Sequence, residues 1–211
     1  MTTPTDESGT SQIRQTNERV ILAAAEAMFA RAGFSGTTMA AIAQASGLPK
    51  ANLHYYFGSK EAIYRAVLVR ILSDWLAPAD AIILEADPRT AIEQYIRAKM
   101  ALSIQRPDAS KVFANELLHG APVVQELLAT ELRKLVKTKV AVLQAWMDQG
   151  RMAQVDGTHL FFTIWAASQT YADFDVQVSA VLGHNNLTPK AHSRATEHVV
   201  SLILRGCGLA D

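Results

Sequence analysis

Gly47 sits between two short helical stretches in "TTMAAIAQASGLPKANLHYY", residues 37 to 56, and limits what this part of the chain can become. A helix-turn-helix needs a small residue where its helices cross, a glycine four positions later for the turn, and an apolar residue six beyond that. Ala43, Gly47 and Leu53 occupy those positions, with Ile42 and Phe57 as further anchors on the same faces. With Leu53 and Phe57 turned inward, the second helix presents Lys50, Ala51, Asn52, His54 and Tyr55 outward. These are donors, one small residue and one aromatic, a set suited to a DNA groove. Lys50 and Lys60 suit phosphates, Asn52 a base edge, and the amides opening the helix at Thr37 and Thr38 an anion. Thr37 reads equally well as a plain N-cap. By spacing alone, the segment also fits an ordinary helical hairpin with a solvated polar face.

The rest of the chain follows helical grammar. Apolar residues recur three and four apart, alternating β-branched runs are missing, and breakers fall where helices would end. A first helix is expected from about Ile13 to Ala32, with Ile21, Ala25, Met28 and Ala32 on one stripe and a stop at Gly33. Ser59 caps a long helix reaching the neighbourhood of Pro78; Asp87–Pro88 and Thr188–Pro189 open segments to about Gln105 and Arg205. Pro107 and Pro122 begin two more, and Asp156 or Thr158 begins one to about Leu182. The expectation is an all-α chain of about nine helices. Residues 1–11 read as a disordered leader, 12–58 as a helix-turn-helix DNA-binding domain, and 59–211 as a ligand-binding and dimerisation domain.

At 211 residues the chain can bury a real core. Its 20 Lys and Arg balance 20 Asp and Glu, so no global field draws it to nucleic acid or an anionic membrane. The distribution is uneven: from Ala27 to Lys60 there is no acidic residue, while Arg31, Lys50 and Lys60 are present. Charges interrupt the greasiest stretch, Ile63 to Leu84, too often for a membrane span, and the N-terminus lacks a signal-peptide pattern. A cytoplasmic protein is expected. Cys207 is alone and reads as an incidental thiol.

The stretch "GFSGTTMAAIAQASGLPKANLHYYFGSKEAIY", residues 33 to 64, resembles the N-terminal domain of the TetR family of transcriptional regulators in its glycine-aromatic, paired threonines, "IA" and "YF" followed by "SK". The resemblance implies an all-helical homodimer: a three-helix DNA-binding domain, a fourth helix linking it to a larger ligand-binding domain, and an interface from the last two long helices. Pro49 and His54 depart from the serine and tyrosine frequent there.

The C-terminal half resembles the pyrimidine-utilisation subfamily through "NLHYYFGSKEAIYRAVLVRILSDWLAP", the "GAP" at Gly120 to Pro122, and "IWAASQTYADFDVQVSAVLG" at 164 to 183. This likeness nominates Trp75, Trp165 and Gln169 for an effector pocket and uracil or thymine as effector, with operator DNA as the other partner. The residues themselves are compatible. Phe161, Trp165, Gln169 and Ala172 share one helical stripe, so a flat aromatic stands one turn from an amide able to accept and donate side by side. Phe113 and Leu117, at i and i+4, would close the apolar side; Glu116 and His119 read as pocket or surface alike. On the last helix, Val199, Leu202 and Ile203, with Val200 and Leu204 alongside, offer more apolar surface than one core-facing side requires, which points to a dimer.

No helical His-Glu pair, phosphate-cradling glycine loop or His-activated nucleophile motif occurs, so neither enzyme, cofactor nor metal is expected. The six histidines are scattered; His192 and His198 face different sides of one helix. The alternatives are a TetR-type repressor sensing another small planar or apolar ligand, for catabolism or efflux, and a helical adaptor without DNA binding.

Overall fold

The computed structural model describes residues 6–183 and 188–210, with side chains from Ser11 onward, and among these every regular element is helical. His184 and residues 1–5 of the expected leader lie outside the described residues. Helix α1 spans Asp6–Gly36, so residues 6–11 are helical rather than part of a leader. Once a helix is nucleated, each added residue gains a backbone hydrogen bond at small entropic cost, so α1 extends beyond its apolar stripe. That stripe is Ile21, Ala25 and Phe29; Met28 is only half-buried and Ala32 is exposed. Gly33, at φ 68° and ψ 176°, breaks the helical path of α1 where the stop is expected.

The turn and its two helices follow. In α2 (Met39–Ser46) the Thr38 hydroxyl accepts from the Ala41 amide; Gly47 then takes the left-handed conformation at φ 67°. A Cβ at Gly47 would meet nothing within 4 Å, so the constraint there is backbone conformation rather than space. Pro49 precedes α3 (Lys50–Phe57) without a side-chain cap, and Asn52 N–H donates to the Pro49 carbonyl instead. Leu53 is fully buried, Ile42 and Ala43 are buried, and Phe57 packs against the same cluster.

Ser59 caps α4 (Lys60–Leu76), which ends in a 3-10 turn at Ala77–Ala81. Asp87 caps α5 (Pro88–Gln105), and α6 (Pro107–Leu118) follows directly. Pro122 does not open a helix. It stands in a turn after Gly120 and Ala121, both at positive φ, whose amides donate back to Leu117 and Glu116 and close α6. The next helix starts at α7 (Gln125–Leu127) and passes through a π-type turn, Leu128–Leu132, into α8 (Arg133–Asp148). Asp156 caps α9 (Gly157–Asp173), and Phe174 breaks the single helix expected to about Leu182, leaving α10 (Asp175–Leu182). Thr188 caps α11 (Pro189–Gly206).

Two apolar cores result. The first joins α1 through Ile21 and Phe29 to Ile42, Leu53 and the α4 stripe of Ile63, Leu68 and Ile71, and it extends to Trp75 and to Phe113 of α6. The second joins α5, α8, α9 and α11 through Ile92, Trp146, Phe161 and Ile203. Val199, Val200, Ile203 and Leu204 are buried in this second core, so the apolar surface of α11 serves the chain's own packing; only Leu202 of that set is exposed. Cys207 is buried there too, and burial pushes its thiol up to about 11, away from reactivity.

Candidate nucleic-acid interface and effector site

On α3, Lys50, Ala51, His54 and Tyr55 are exposed and Asn52 is half-buried. Tyr55 is 77 % exposed, an outlay of apolar surface that a solvated helix does not need. Its ring lies edge-on to Tyr56 at 5.1 Å, and the Tyr56 hydroxyl in turn accepts from Asn17 of α1 at 2.9 Å. His54 Nδ1 lies 2.9 Å from the Gly58 carbonyl, which fixes the ring at the end of α3 and leaves its other nitrogen outward. The face is therefore held from behind rather than splayed.

Two residues expected to touch phosphate are used inside the protein. Thr37 is buried, and its hydroxyl lies 2.8 Å from the Gly33 carbonyl and 3.1 Å from that of Met28, so Thr38, not Thr37, is the cap of α2. Lys60 donates to the carbonyls of Phe34 at 2.8 Å and Thr37 at 3.0 Å, with its ammonium 4.2 Å from the centre of the Phe34 ring. Sequence places a lysine near the DNA side, but free carbonyls at the kinked end of α1 take its protons first. Lys60 thus pins the α1–α2 junction, and Lys50 keeps its ammonium at the surface.

Helix α6 is tied at both ends to this unit. Arg106, just before it, donates from Nη2 to Glu26 of α1 at 2.5 Å and from Nη1 to Asp74 of α4. Near its other end, buried Glu116 accepts from the Tyr64 hydroxyl at 3.1 Å and from the Val123 amide at 2.7 Å. Burial and the Glu116 charge raise the Tyr64 pKa, so its hydroxyl remains a donor at neutral pH. Glu116 and His119 line a cleft of about 430 Å³ beside Phe34 and Tyr64, next to α1.

The aromatic nominees divide between the cores. Trp75 and Phe113 meet edge to face at 5.2 Å in the first. Trp165 packs with the second, and its indole N–H donates to the Tyr95 hydroxyl at 2.7 Å, so it offers a wall rather than a free donor. Gln169, half-buried, follows one turn later on α9. Leu117 does not join Phe113: it is 43 % exposed, because the buried stripe of α6 runs through Ala109, Val112, Phe113 and Glu116.

Between the cores lies a polar seam that periodicity did not reveal. Lys99 of α5 is buried with its ammonium 4.5 Å from the centre of the Trp75 ring. Ser110 of α6 is fully buried and donates to Asp173 of α9 at 2.5 Å. Burial pushes Lys99 down to about 8, partly offset by the Asp173 charge, and burial raises Asp173 against the pull of Ser110, Lys111 and Lys99. Trp75 Nε1 is buried without an acceptor among the described residues. A signal was available in sequence: Lys99 interrupts the apolar stripe of Ile92, Tyr95, Ile96 and Met100, where a lysine has no solvent to reach.

Comparison with known proteins agrees with this architecture. Residues 21–67 match the family model described as bacterial regulatory proteins, tetR family, and residues 68–210 match the YcdC-like protein C-terminal region. Over 189 residues the chain is 42 % identical to the HTH-type transcriptional regulator RutR of Escherichia coli K12, covering 90 % of this chain and 89 % of that protein. It is 27 % identical over 195 residues to the HTH-type transcriptional repressor NicS of Pseudomonas putida, covering 88 % and 90 %. Among solved structures, PfmR of Thermus thermophilus matches with a TM-score of 0.68 at 23 % identity, covering 88 % of this chain and 94 % of that one. KstR2 of Mycobacterium tuberculosis matches with a TM-score of 0.68 at 21 % identity, covering 90 % and 94 %.

Proposed function

The chain belongs to the tetR family of bacterial regulatory proteins and is a TetR-type transcriptional regulator, and from that premise we propose that it is a homodimeric repressor that leaves its operator on binding a pyrimidine such as uracil or thymine. The observation that carries the DNA-binding part is the outward face of α3, held by the Gly47 turn and the buried Leu53. Lys50 and Thr38 serve phosphates, and Asn52, His54 and Tyr55 with the small Ala51 meet base edges in the major groove. Thr37 and Lys60 act one step behind, fixing the angle at which α2 leaves α1.

The effector reading rests on the sequence likeness to pyrimidine regulators and on a site with suitable chemistry. A pyrimidinedione is planar, with N–H groups flanked by carbonyls; Trp75, Phe113 and Trp165 supply flat apolar walls and Gln169 an amide that both donates and accepts. Helix α6 carries the message. It brings Phe113 and Ser110 to the seam, while Arg106 and Glu116 at its ends grip α1 and α4. A ligand that favours one position of α6 shifts α1, and with it the separation of the two α3 helices in the dimer. Half-sites lie about 34 to 36 Å apart, or multiples of that, so a changed separation loses specific contacts. For the dimer, exposed Phe162, Phe174, Val176, Val181, Leu182 and Leu202 on α9, α10 and α11 provide apolar surface that the monomer leaves uncovered.

Selection of bound fragments from the protein's own genome, followed by gel shift at rising salt, tests the reading. Enrichment of a palindromic site whose affinity falls steeply with salt supports it. Uniform recovery of all fragments defeats it in favour of an adaptor.

A further inference from the structure

Lys99 is the group that the regulator reading leaves without a task. Its side chain is 4 % exposed, and the partners it has are the Trp75 ring at 4.5 Å and the field of Asp173. Among the described residues no carboxylate lies within ion-pair distance of its ammonium. Burial alone drives its pKa down to about 8, so the position works against folding, and a methionine of similar length would fill it without that cost. The second donor is adjacent. Trp75 is 6 % exposed, and its Nε1 proton also lacks an acceptor among the described residues. Ser110 cannot supply one, since its hydroxyl is turned to Asp173. Two buried donors on neighbouring helices, α4 and α5, therefore converge with no oxygen between them.

We infer that this seam binds a neutral, planar carbonyl compound of the lactam or cyclic imide class, its carbonyl oxygen accepting from Trp75 Nε1 and Lys99 Nζ, and that Lys99 determines this specificity. The inference rests on the reading of the seam as the effector site and gives that site its chemistry. Charge decides between a carbonyl and a carboxylate. Lys99 faces Asp173, and the neighbouring Lys111 is already paired with Asp175 at 2.8 Å, so the surroundings sum to zero. A neutral ligand keeps that balance, whereas an organic acid would bring an uncompensated charge into a buried place. Asp173, already bonded by Ser110 through one oxygen, has its second oxygen for the ring N–H that lies beside the carbonyl in such compounds. Gln169 and Trp165 on α9 stand on the same stripe as Asp173, one and two turns before it.

The test uses the full chain and five probes: uracil, succinimide and 2-pyridone as neutral carbonyl compounds, benzoate and orotate as planar carboxylates. Binding is read by tryptophan fluorescence and by melting temperature in wild type, Lys99→Met and Trp75→Phe. The expected result is that at least one neutral probe binds wild type tenfold or more tightly than either carboxylate. Lys99→Met should lose tenfold or more of that affinity while melting higher than wild type, a combination that a merely structural lysine does not give. Trp75→Phe keeps the ring, removes the proton and should weaken the same probe, so the inference remains testable if Lys99→Met does not fold. Unchanged affinity in both variants, preference for a carboxylate, or no binding of any neutral probe overturns it. The pyrimidine reading fails separately: succinimide or 2-pyridone binding through Lys99 while uracil does not bind leaves the Lys99 inference standing, and uracil binding equally to wild type and Lys99→Met does the reverse.

Discussion

The outward face of α3 and the seam under Trp75 hold their polar groups in opposite ways. On α3 the donors of Lys50 and Tyr55 stand in water, supported from behind by buried Leu53 and by the Tyr56–Asn17 bond. In the seam, Lys99 and the Trp75 N–H are withdrawn from water without matching acceptors. The surface face costs folding little and is available to a large partner that brings its own charge, as DNA does. The buried seam destabilises the protein and is complete only with a small partner. A regulator needs both kinds of site, and it needs them joined. Helix α6, gripped by Glu26 and Tyr64 and carrying Ser110 and Phe113, is the join.

If the two regions are distinct in function, changes in one should leave the other's ligand alone. The largest effect is expected on α3. Asn52→Ala with Tyr55→Ala should lower specific operator affinity by about 100-fold or more, since each base contact is worth roughly 1–3 kcal/mol. Non-specific binding and the thermal shift with uracil should stay as in wild type, measured by fluorescence anisotropy and melting curves.

The seam should respond in stability before anything else. Lys99→Met should raise unfolding free energy at pH 7 by up to about 3 kcal/mol, the equivalent of a lysine lowered from 10.5 to about 8. The sign follows from proton counting. Between pH 8 and 10.5 the unfolded lysine holds a proton that the folded one has released, so wild-type stability rises with pH across that window. The penalty is complete below pH 8 and gone above 10.5, and the two proteins should converge there in urea titrations. Parallel curves would mean that Lys99 is solvated.

The join itself is tested by Arg106→Met, which removes the bonds to Glu26 and Asp74. Uracil should still bind, but about tenfold more should be needed to release DNA, because α1 no longer follows α6. An unchanged release midpoint would route the coupling elsewhere. The smallest effect is expected for Lys50→Ala, a loss of about 1 in the slope of log affinity against log salt, with sequence preference intact.

How legible each region is in the sequence follows from the range of the interactions that build it. The helix-turn-helix is local: Ala43, Gly47 and Leu53 lie within eleven positions and each requirement concerns a near neighbour, so spacing suffices. The caps at Ser59, Asp87, Asp156 and Thr188 are local too. Thr37 and Lys60 show the limit. Both look like surface donors in sequence, yet the kink at Gly33 exposes carbonyls that claim them, and that geometry spans Met28 to Lys60. The seam draws Trp75, Lys99, Ser110 and Asp173 from four helices, and no periodicity within one helix announces such a meeting. Leu117 failed as a wall for a simpler reason: i and i+4 share a face only approximately, and Glu116 took the inward position. The α11 stripe likewise looked free only because its partners on α5 and α9 are far away in sequence.

The most direct measurement follows fluorescence anisotropy of a labelled operator fragment, selected from the protein's own genome, in complex with the wild-type chain as uracil is added to about 1 mM, a concentration that reaches even weak effectors. A fall to the value of free DNA, reversed by adding more protein, is the expected result. Anisotropy that stays constant while melting curves show uracil bound would contradict coupling between the seam and α3, and constancy without any binding would contradict the pyrimidine assignment.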